Sequence, residues 1–250
     1  MNIKKIVEKL YPFDYSIAGK GNDLAIKEFK KFLPFKVHSF ETGKSINGWK
    51  IPHSWILKKG LIKDGSKVVF DAKKSLFGVP VQSSSFSGKV SYETLVQHIY
   101  TSKKNNNATP YNWSGLYRNQ KQSWGFCMSS SQLKKLKKKN YDVEIKTEIK
   151  KSRMKVLEYT LKGRNNNTIL INAHNCHPFQ ANDDISGCAL GIKLFKELKK
   201  IKNRKFTYTL LIAPELYGPI FWLNKINKSR IKNLDYSILL KSVGNKNKIK

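Results

Sequence analysis

Two strand-like runs of apolar residues, each followed by polar residues, constrain the fold of this chain more than any other feature. They comprise residues 168–173 (TILINA) and 206–213 (FTYTLLIA), and such runs are typical of buried strands in α/β sheets. A helical pattern follows each run, at residues 183–200 and 218–226. This strand, helix, strand, helix order predicts a parallel sheet with right-handed crossovers. Ligand sites in such sheets lie at the carboxyl ends of the strands.

The rest of the chain falls into two kinds of pattern. Residues 2–10 and 22–33 carry apolar residues at helical spacing. Residues 36–150 instead break into short strand-like pieces separated by Gly, Asp and Ser turns. We therefore expect an α/β fold, with a mostly parallel sheet and flanking helices formed by residues 1–35 and 151–250, and a β-rich domain at 36–150.

The chain is strongly basic, with 48 Lys and Arg against 17 Asp and Glu and a formal net charge of +31. Only five of the basic residues are Arg, the residue that nucleic-acid sites favour, and the Lys excess accompanies an Asn excess. This composition favours a solvated Lys-rich surface and argues against nucleic acid as a partner. A basic polyanion-binding protein remains as an alternative function.

The sequence also bears on the compartment. No apolar run approaches the ~20 residues that a membrane-spanning helix needs, and the first ten residues lack the apolar core of a secretory signal peptide. The three cysteines are far apart and odd in number, which does not suggest a disulfide scaffold. We therefore expect a cytoplasmic protein that does not contact a membrane.

Polar residues with metal-binding and acid–base chemistry follow both apolar runs. His174 and His177 end the first run, Asp183 and Asp184 begin the next helix, and Glu215 follows the second run. All of them are expected at one edge of the sheet. Two imidazoles and the Asp183 carboxylate suit a divalent metal, above all zinc, and Glu215 would then be free to act as general base on a water.

Each of these residues also has an ordinary structural interpretation. The two histidines could be packed and hydrogen-bonded without a metal, and Asp183 could be a helix N-cap. Glu215 could be a surface carboxylate, while Cys176 and Cys188 are interpreted as small buried residues rather than ligands. Because all these positions coincide at one predicted sheet edge, the functional interpretation is favoured.

Two segments resemble those of a known family. Residues 174–187 (HNCHPFQANDDISG) resemble the H-x-C-H-P-x-x-A-N-D-N-x-S-G signature of bacterial proteins with an aminopeptidase-like domain. Residues 214–220 (PELYGPI) resemble their P-E-T-I-G-S-I segment. These proteins are distant relatives of the zinc-dependent exopeptidases of the leucyl aminopeptidase type. The resemblance covers essentially the whole chain and implies an exopeptidase-like core with an inserted β-rich domain.

The resemblance also implies roles for the site residues. His174 occupies the position of the zinc-ligating His, Asp183 that of the bridging carboxylate, and Glu215 that of the general base. Cys176 stands where the wider exopeptidases have the Asp that orients the His, and both Cys176 and Asp184 are expected beside the ligands. Leu216 replaces the carboxylate that binds a second zinc, so a single zinc ion is expected. His177 has no counterpart in the wider group, and is either a ligand or a residue lining the site.

This sequence departs from the family pattern in ways that bear on activity. Asp184 replaces the usual Asn, Leu216 replaces Thr, and Pro219 stands where a small Ser is usual. Family members continue further and carry another metal-ligand His in an E-Y-H-T-S-like segment. The resemblance therefore implies a chain truncated at its C-terminus. The remaining alternatives are a site completed by a following chain and a protein that has lost catalysis.

The function expected from these observations is zinc-dependent, aminopeptidase-like hydrolysis of an amide bond. The substrate would be a small peptide, cleaved at its N-terminus, or an amide-bearing sugar or amino-acid derivative. Several family members are associated with surface-polysaccharide functions. A non-catalytic remnant that binds a ligand or partner is the alternative from another class. A homo-oligomer and a second chain that completes the C-terminal part are both left open as partners.

Overall fold

The computed structural model describes residues 2–115 and 122–245. Its elements are, in chain order, α1 (Ile3–Leu10), α2 (Lys20–Phe32), β1 (Lys36–Glu41), β2 (Ser45–Ile46), β3 (Trp49–Lys50), β4 (Ser54–Asp64), β5 (Lys67–Asp71), β6 (Phe86–Val90), α3 (Tyr92–Gln97), β7 (Ile99–Tyr100), β8 (Phe126–Cys127), α4 (Ser130–Leu133), β9 (Tyr141–Lys150), β10 (Arg153–Leu161), β11 (Thr168–His174), α5 (Ile185–Lys200), β12 (Thr207–Ala213), α6 (Tyr217–Lys225), α7 (Lys228–Lys232) and β13 (Leu234–Leu239). A 3-10 turn at Ala72–Lys74 follows β5.

The chain divides into two units, and the first comprises residues 1–54 and 151–250. The second unit comprises residues 55–150. The boundary that the sequence pattern placed after residue 35 therefore lies near residue 54. The reason is β1, which pairs with β10 along its whole length, from Lys36 opposite Glu158 to Glu41 opposite Arg153, and so belongs to the first unit.

The first unit contains a five-stranded sheet with the strand order β1-β10-β12-β11-β13. The expected α/β class is confirmed, and the two apolar runs form β11 and β12, which pair in parallel. β13 is parallel to β11, whereas β10 is antiparallel to both β1 and β12. The sheet is therefore mixed rather than mostly parallel, because β10 runs against both of its neighbours. The sequence pattern predicts no strand at β10 and places β1 in the β-rich domain, so it does not reveal these antiparallel pairings.

Helices cover the sheet of the first unit. α1, α2 and α5 bury Leu10, Phe29 and Phe195 in one apolar cluster with the strand residues Leu210 and Ile212. α6 contacts β10 and β12, and its Trp222 bonds to Glu158, the neighbour of Leu157 along β10. Because adjacent residues of a strand face opposite sides and Leu157 belongs to the first cluster, α6 lies on the other face of the sheet.

The second unit has a four-stranded sheet of its own, with the order β5-β4-β9-β6. Its core consists of apolar residues from these strands and from the segment around β8, including Ile62, Phe126 and Val143. A separate apolar cluster is consistent with an independent unit. Among residues 2–115 and 122–245, no helix combines the length and the apolarity that crossing a bilayer requires.

Candidate active site

Three strands of the first unit end at the same edge of the sheet. His174 at the end of β11 lies opposite Ala213 at the end of β12, so Glu215 follows two residues beyond the paired position. Leu240, directly after β13, donates its N–H to the carbonyl of Asn172 over 2.8 Å. The parallel register therefore brings His174, Glu215 and the residues after β13 to one place, as ligand sites of such sheets require.

The imidazole of His174 is at the centre of this edge. Its Nε2 lies 2.8 Å from Oδ1 of Asp183 and 3.9 Å from Oε2 of Glu215. Its Nδ1 lies 3.5 Å from Oδ2 of Asp184. The His174 side chain is only 4% exposed, whereas that of Asp183 is 51% exposed and that of Glu215 is 34% exposed. One ring nitrogen thus faces two accessible carboxylates, and the other faces a buried carboxylate.

Asp184 is completely buried and is held by backbone N–H groups. Its Oδ2 accepts from the N–H of His174 over 3.1 Å, and its Oδ1 accepts from the N–H of Ser242 over 2.9 Å. Asp184 stands at the N-cap position of α5, but its side chain makes no capping hydrogen bond. Burial raises the pKa of Asp184. The carboxylates of Asp183 and Asp184 therefore contact His174. Their hydrogen bonds do not support the interpretation of either residue as a side-chain cap of α5.

Gln180, whose role no sequence motif indicates, organises the loop between His174 and α5. Its Oε1 accepts from the N–H of Cys176 over 2.7 Å and from the N–H of His177 over 3.4 Å. Its Nε2 donates to the carbonyl of Asp183 over 3.1 Å. The side chain is buried, so it holds both ends of the loop in register. An amide side chain can do this because it offers a donor and an acceptor at once.

Cys176 is expected beside the metal ligands, but its sulfur lies close enough to His174 and Glu215 to be a ligand itself. Among the described residues, the potential ligand atoms of His174, Cys176 and Glu215 all lie within 4.8 Å of one another. Burial raises the pKa of the Cys176 thiol to about 12. Cys188 is also buried and donates weakly to the carbonyl of His174 over 3.5 Å, in keeping with its interpretation as a small buried residue.

His177 is not part of that group of three, and its role as a ligand stays a prediction. Its Nδ1 lies 3.3 Å from the carbonyl oxygen of Pro178. Burial lowers the pKa of His177, while the charges of Asp183 and Glu215 act in the opposite direction. The imidazole therefore shares the electrostatic environment of the site and is biased towards its neutral form.

Lys241 is a charged residue beside Glu215 whose role no sequence motif indicates. Its Nζ donates to Oε1 of Glu215 over 2.8 Å, and this hydrogen bond raises the pKa of Lys241. The sequence contained one usable signal, namely that Lys241 follows a strand-like segment at the end of the chain. Because the pairing of that segment was not known, its end could not be assigned to the same sheet edge.

The donor chemistry fits a zinc ion. Zinc in proteins is bound by imidazole nitrogen, carboxylate oxygen and thiolate sulfur, and the edge offers His174, Asp183, Glu215 and Cys176 within short distances. Metal-ligating histidines usually present their second ring nitrogen to a carboxylate or carbonyl. Asp184 lies where such a partner belongs.

Comparison with protein families and sequences gives a family match and a relative that aligns with almost all of this chain. Residues 4–250 match the family model described as "Domain of unknown function (DUF4910)". A Clostridium acetobutylicum protein, described provisionally as a polysaccharide biosynthesis protein with aminopeptidase-like domain, is 29% identical over 244 residues. The match covers 97% of this chain and 55% of that protein. The expected resemblance to aminopeptidase-like proteins is confirmed.

Solved structures share the fold. A crystal structure of a C. acetobutylicum protein, described provisionally as a peptidase, has a TM-score of 0.82 at 28% identity, covering 98% of this chain and 57% of that chain. A zinc aminopeptidase from Bacillus subtilis has a TM-score of 0.68 at 12% identity, covering 97% and 68%. An aminopeptidase from Aneurinibacillus sp. strain AM-1 has a TM-score of 0.59 at 14% identity, covering 98% and 70%. This chain spans little more than half the length of its C. acetobutylicum relatives.

Proposed function

The chain belongs to the DUF4910 family, and we propose that it carries the site of a metal-dependent hydrolase of amide bonds. One observation carries this proposal: Nε2 of His174 faces the accessible carboxylates of Asp183 and Glu215 at the common end of β11 and β12. The fold that holds them is shared with aminopeptidases, among them a zinc aminopeptidase from Bacillus subtilis. A buried imidazole with accessible acids on one side and a fixed acid behind it suits metal binding and proton transfer.

The residues that would hold the ion are His174 and Asp183, with Cys176 within reach of the imidazole. We propose a single zinc ion, because Leu216 offers no donor atom beside Glu215. When bound, a divalent cation acts as a Lewis acid that polarises an amide carbonyl and lowers the pKa of a water. His177 is kept as a further ligand or lining residue.

Glu215 is the proposed general base. Its Oε1 is engaged by Lys241, so its Oε2 is the oxygen that faces the imidazole of His174. With one oxygen anchored, the other is available to accept a proton from a water beside the substrate carbonyl. After the amide bond breaks, the same carboxyl group can return this proton to the leaving amine, as a general base turned general acid does.

Asp184 orients His174 for this chemistry. It is fixed by the N–H groups of His174 and Ser242, and it faces Nδ1 of the ring. With a metal ion held between Nε2 and Asp183, the ring proton would lie on Nδ1, where Asp184 would receive it, and the Nε2 lone pair would be free for the ion. This is the tautomer that a ligand His needs in order to bind through Nε2.

The proposed substrate is a small amide, either at a peptide N-terminus or in an amide-bearing sugar or amino-acid derivative. The names of the aminopeptidase relatives support the first class, and the polysaccharide description of the C. acetobutylicum relative supports the second. We propose that one chain forms the site. The alternative is that a second copy of this chain, or a different chain, completes it.

The experiment that tests this function is a measurement of metal content in the purified chain. We expect about one zinc per chain, lost in His174→Ala and kept in the control His53→Ala, which removes a half-buried imidazole elsewhere in the first unit. Hydrolysis of amino-acid anilides and of amidated sugars is then assayed for both variants. Metal retained by His174→Ala, or absent from a folded wild type, contradicts the proposal and favours a non-catalytic binding role.

A further inference from the structure

We propose that Lys241 is a built-in cation of the site, which positions Glu215 and limits how strongly the site attracts a divalent metal ion. The inference rests on the proposed function, because it concerns the same carboxylate. It begins from a contact of opposite charges. Nζ of Lys241 lies 2.8 Å from Oε1 of Glu215, and both side chains are only partly exposed, at 40% and 34%.

The backbone around Lys241 is held from both sides, so the contact is not that of a loose surface lysine. Leu240 donates its N–H to the carbonyl of Asn172 in the neighbouring strand β11. Ser242 donates its N–H to the buried carboxylate of Asp184. A Cβ atom added at Gly187 would lie 2.1 Å from the carbonyl oxygen of Leu240, so α5 packs directly against this segment. Lys241 therefore starts from a fixed position beside the site.

The ammonium group of Lys241 contacts only one of the two carboxylate oxygens of Glu215. Lys241 binds Oε1, so Oε2 is the oxygen that faces His174. A metal ion approaching Glu215 must share this carboxylate with a positive charge, and Coulomb repulsion between the two cations opposes binding. The adjacent Leu216 is an exposed apolar residue, and its side chain has no oxygen that could compensate for this repulsion.

Lys241→Met tests this inference, because methionine approximates the length of the lysine side chain without its charge. The metal-free wild type and the variant are titrated with zinc and compared by calorimetry, in a buffer of fixed ionic strength. We expect the variant to bind zinc roughly tenfold more tightly or better. Lys241→Arg keeps the positive charge and is expected to restore the wild-type affinity.

Two further variants complete the design. Lys193→Met is the matched control, because Lys193 pairs with Glu197 within α5 at a similar exposure and distance but away from the site, and it should leave zinc affinity unchanged. Lys241→Gln replaces the methionine variant if that protein does not fold, and the same increase in affinity is expected. Circular dichroism establishes that each variant is folded.

The outcomes separate this inference from the proposed function. Tighter zinc binding by Lys241→Met than by the wild type supports the inference. If the wild type binds no zinc but Lys241→Met does, the inference is still supported, and only the proposed function is contradicted. Equal binding by wild type and Lys241→Met overturns the role of Lys241 and leaves the proposed function standing. If neither protein binds zinc, both proposals are wrong.

Discussion

Two histidine–carboxylate pairs in the first unit have the same separation but different surroundings. His38 on β1 lies 2.8 Å from Glu158 on β10, and His174 lies 2.8 Å from Asp183. Glu158 is almost completely buried, with its side chain 6% exposed, whereas Asp183 is half exposed. The distance between imidazole and carboxylate therefore does not distinguish a buried pair from the half-exposed pair at the proposed site.

The Glu158 pair is a closed network. Besides His38, the carboxylate accepts from Nε1 of Trp222 and from the guanidinium of Arg230, and Arg230 lies over the Trp222 ring at 5.4 Å from its centroid. Thr160 also donates to Glu158. Both oxygens of Glu158 thus have partners from the protein itself, and the cluster ties α6 and α7 to the sheet.

The His174 pair is open on one side. Its buried side is closed by Asp184, whose oxygens accept backbone N–H groups, but its accessible side presents Asp183 and Glu215 together. A carboxylate that can bind a ligand therefore differs from one that stabilises the fold in its exposure and in the number of its protein partners, more than in its pairing with an imidazole.

The largest effect is expected from breaking the closed network. Glu158→Gln removes the negative charge beside Arg230 and should lower the free energy of unfolding by about 3 kcal/mol, while zinc binding stays unchanged. Urea unfolding of both proteins measures the difference. The control is Glu41→Gln, which removes an exposed partner of Arg153 and should cost under about 0.5 kcal/mol. Similar losses for the two variants would contradict the distinction.

The open pair should respond in the opposite way. Asp183→Asn removes a proposed ligand from a half-exposed position, so its free energy of unfolding should change by less than about 0.5 kcal/mol. Zinc affinity should fall by about a hundredfold or more, which corresponds to about 2.7 kcal/mol of binding free energy. Calorimetric titration together with urea unfolding tests both expectations. A large decrease in the free energy of unfolding with unchanged zinc affinity would show that Asp183 stabilises the fold and is not a ligand.

The closed network should also produce a specific dependence of stability on pH. Burial opposes ionisation of Glu158, but hydrogen bonds from His38, Arg230 and Trp222 outweigh it and hold its pKa well below the usual range. The stabilisation by Glu158 is therefore complete above the unfolded-state pKa of about 4.3 and is lost as the pH falls towards the folded-state pKa. The difference in unfolding free energy between wild type and Glu158→Gln should shrink by about 2 kcal/mol between pH 7 and pH 3. A difference that does not change over this range would show that the charge of Glu158 is not the source of the stability.

The smallest expected effect is at the carboxylate behind the imidazole. Asp184→Asn keeps the shape of the side chain but weakens its interaction with Nδ1 of His174, so zinc affinity should fall by about tenfold. The amide of Asn has only one acceptor oxygen, so its NH2 group would face one of the two backbone N–H groups that Asp184 accepts, at a cost of about 1 kcal/mol in stability. Asp142→Asn, at an exposed position of β9, is the control that should change neither quantity. Unchanged zinc affinity in Asp184→Asn would remove its orienting role.

Most of the α/β core and the approximate place of the site follow from local patterns. Helices α1, α2 and α5 have apolar residues at the spacing of one helix face, and strands β11 and β12 are short apolar runs typical of strands buried on both faces. Once β11 and β12 are parallel neighbours, the residues after them must meet at one edge. His174, Asp183 and Glu215 were therefore predicted together, and the structure brings all three together.

The remaining features depend on contacts that no local pattern reveals. β10 makes the sheet a mixed one through its antiparallel pairs with β1 and β12. Both faces of β10 carry buried residues, Met154 and Val156 on one and Leu157 on the other, so no single alternating pattern marks it as a strand. His38 and Glu158 are 120 residues apart, and nothing near either residue indicates the other. The direction of the Asp184 side chain was likewise open, because an Asp before a helix is expected to cap it.

By itself, the sequence determined the class of the fold, its family and the sheet edge at which the chemistry lies, because these follow from apolar periodicity and from short motifs. Only the tertiary structure decided which acid is open and which is closed, that Gln180 braces the loop, and that Lys241 reaches Glu215. These depend on the pairing of distant strands, since strand register fixes which side chains face each other while the local pattern only fixes which face each side chain takes.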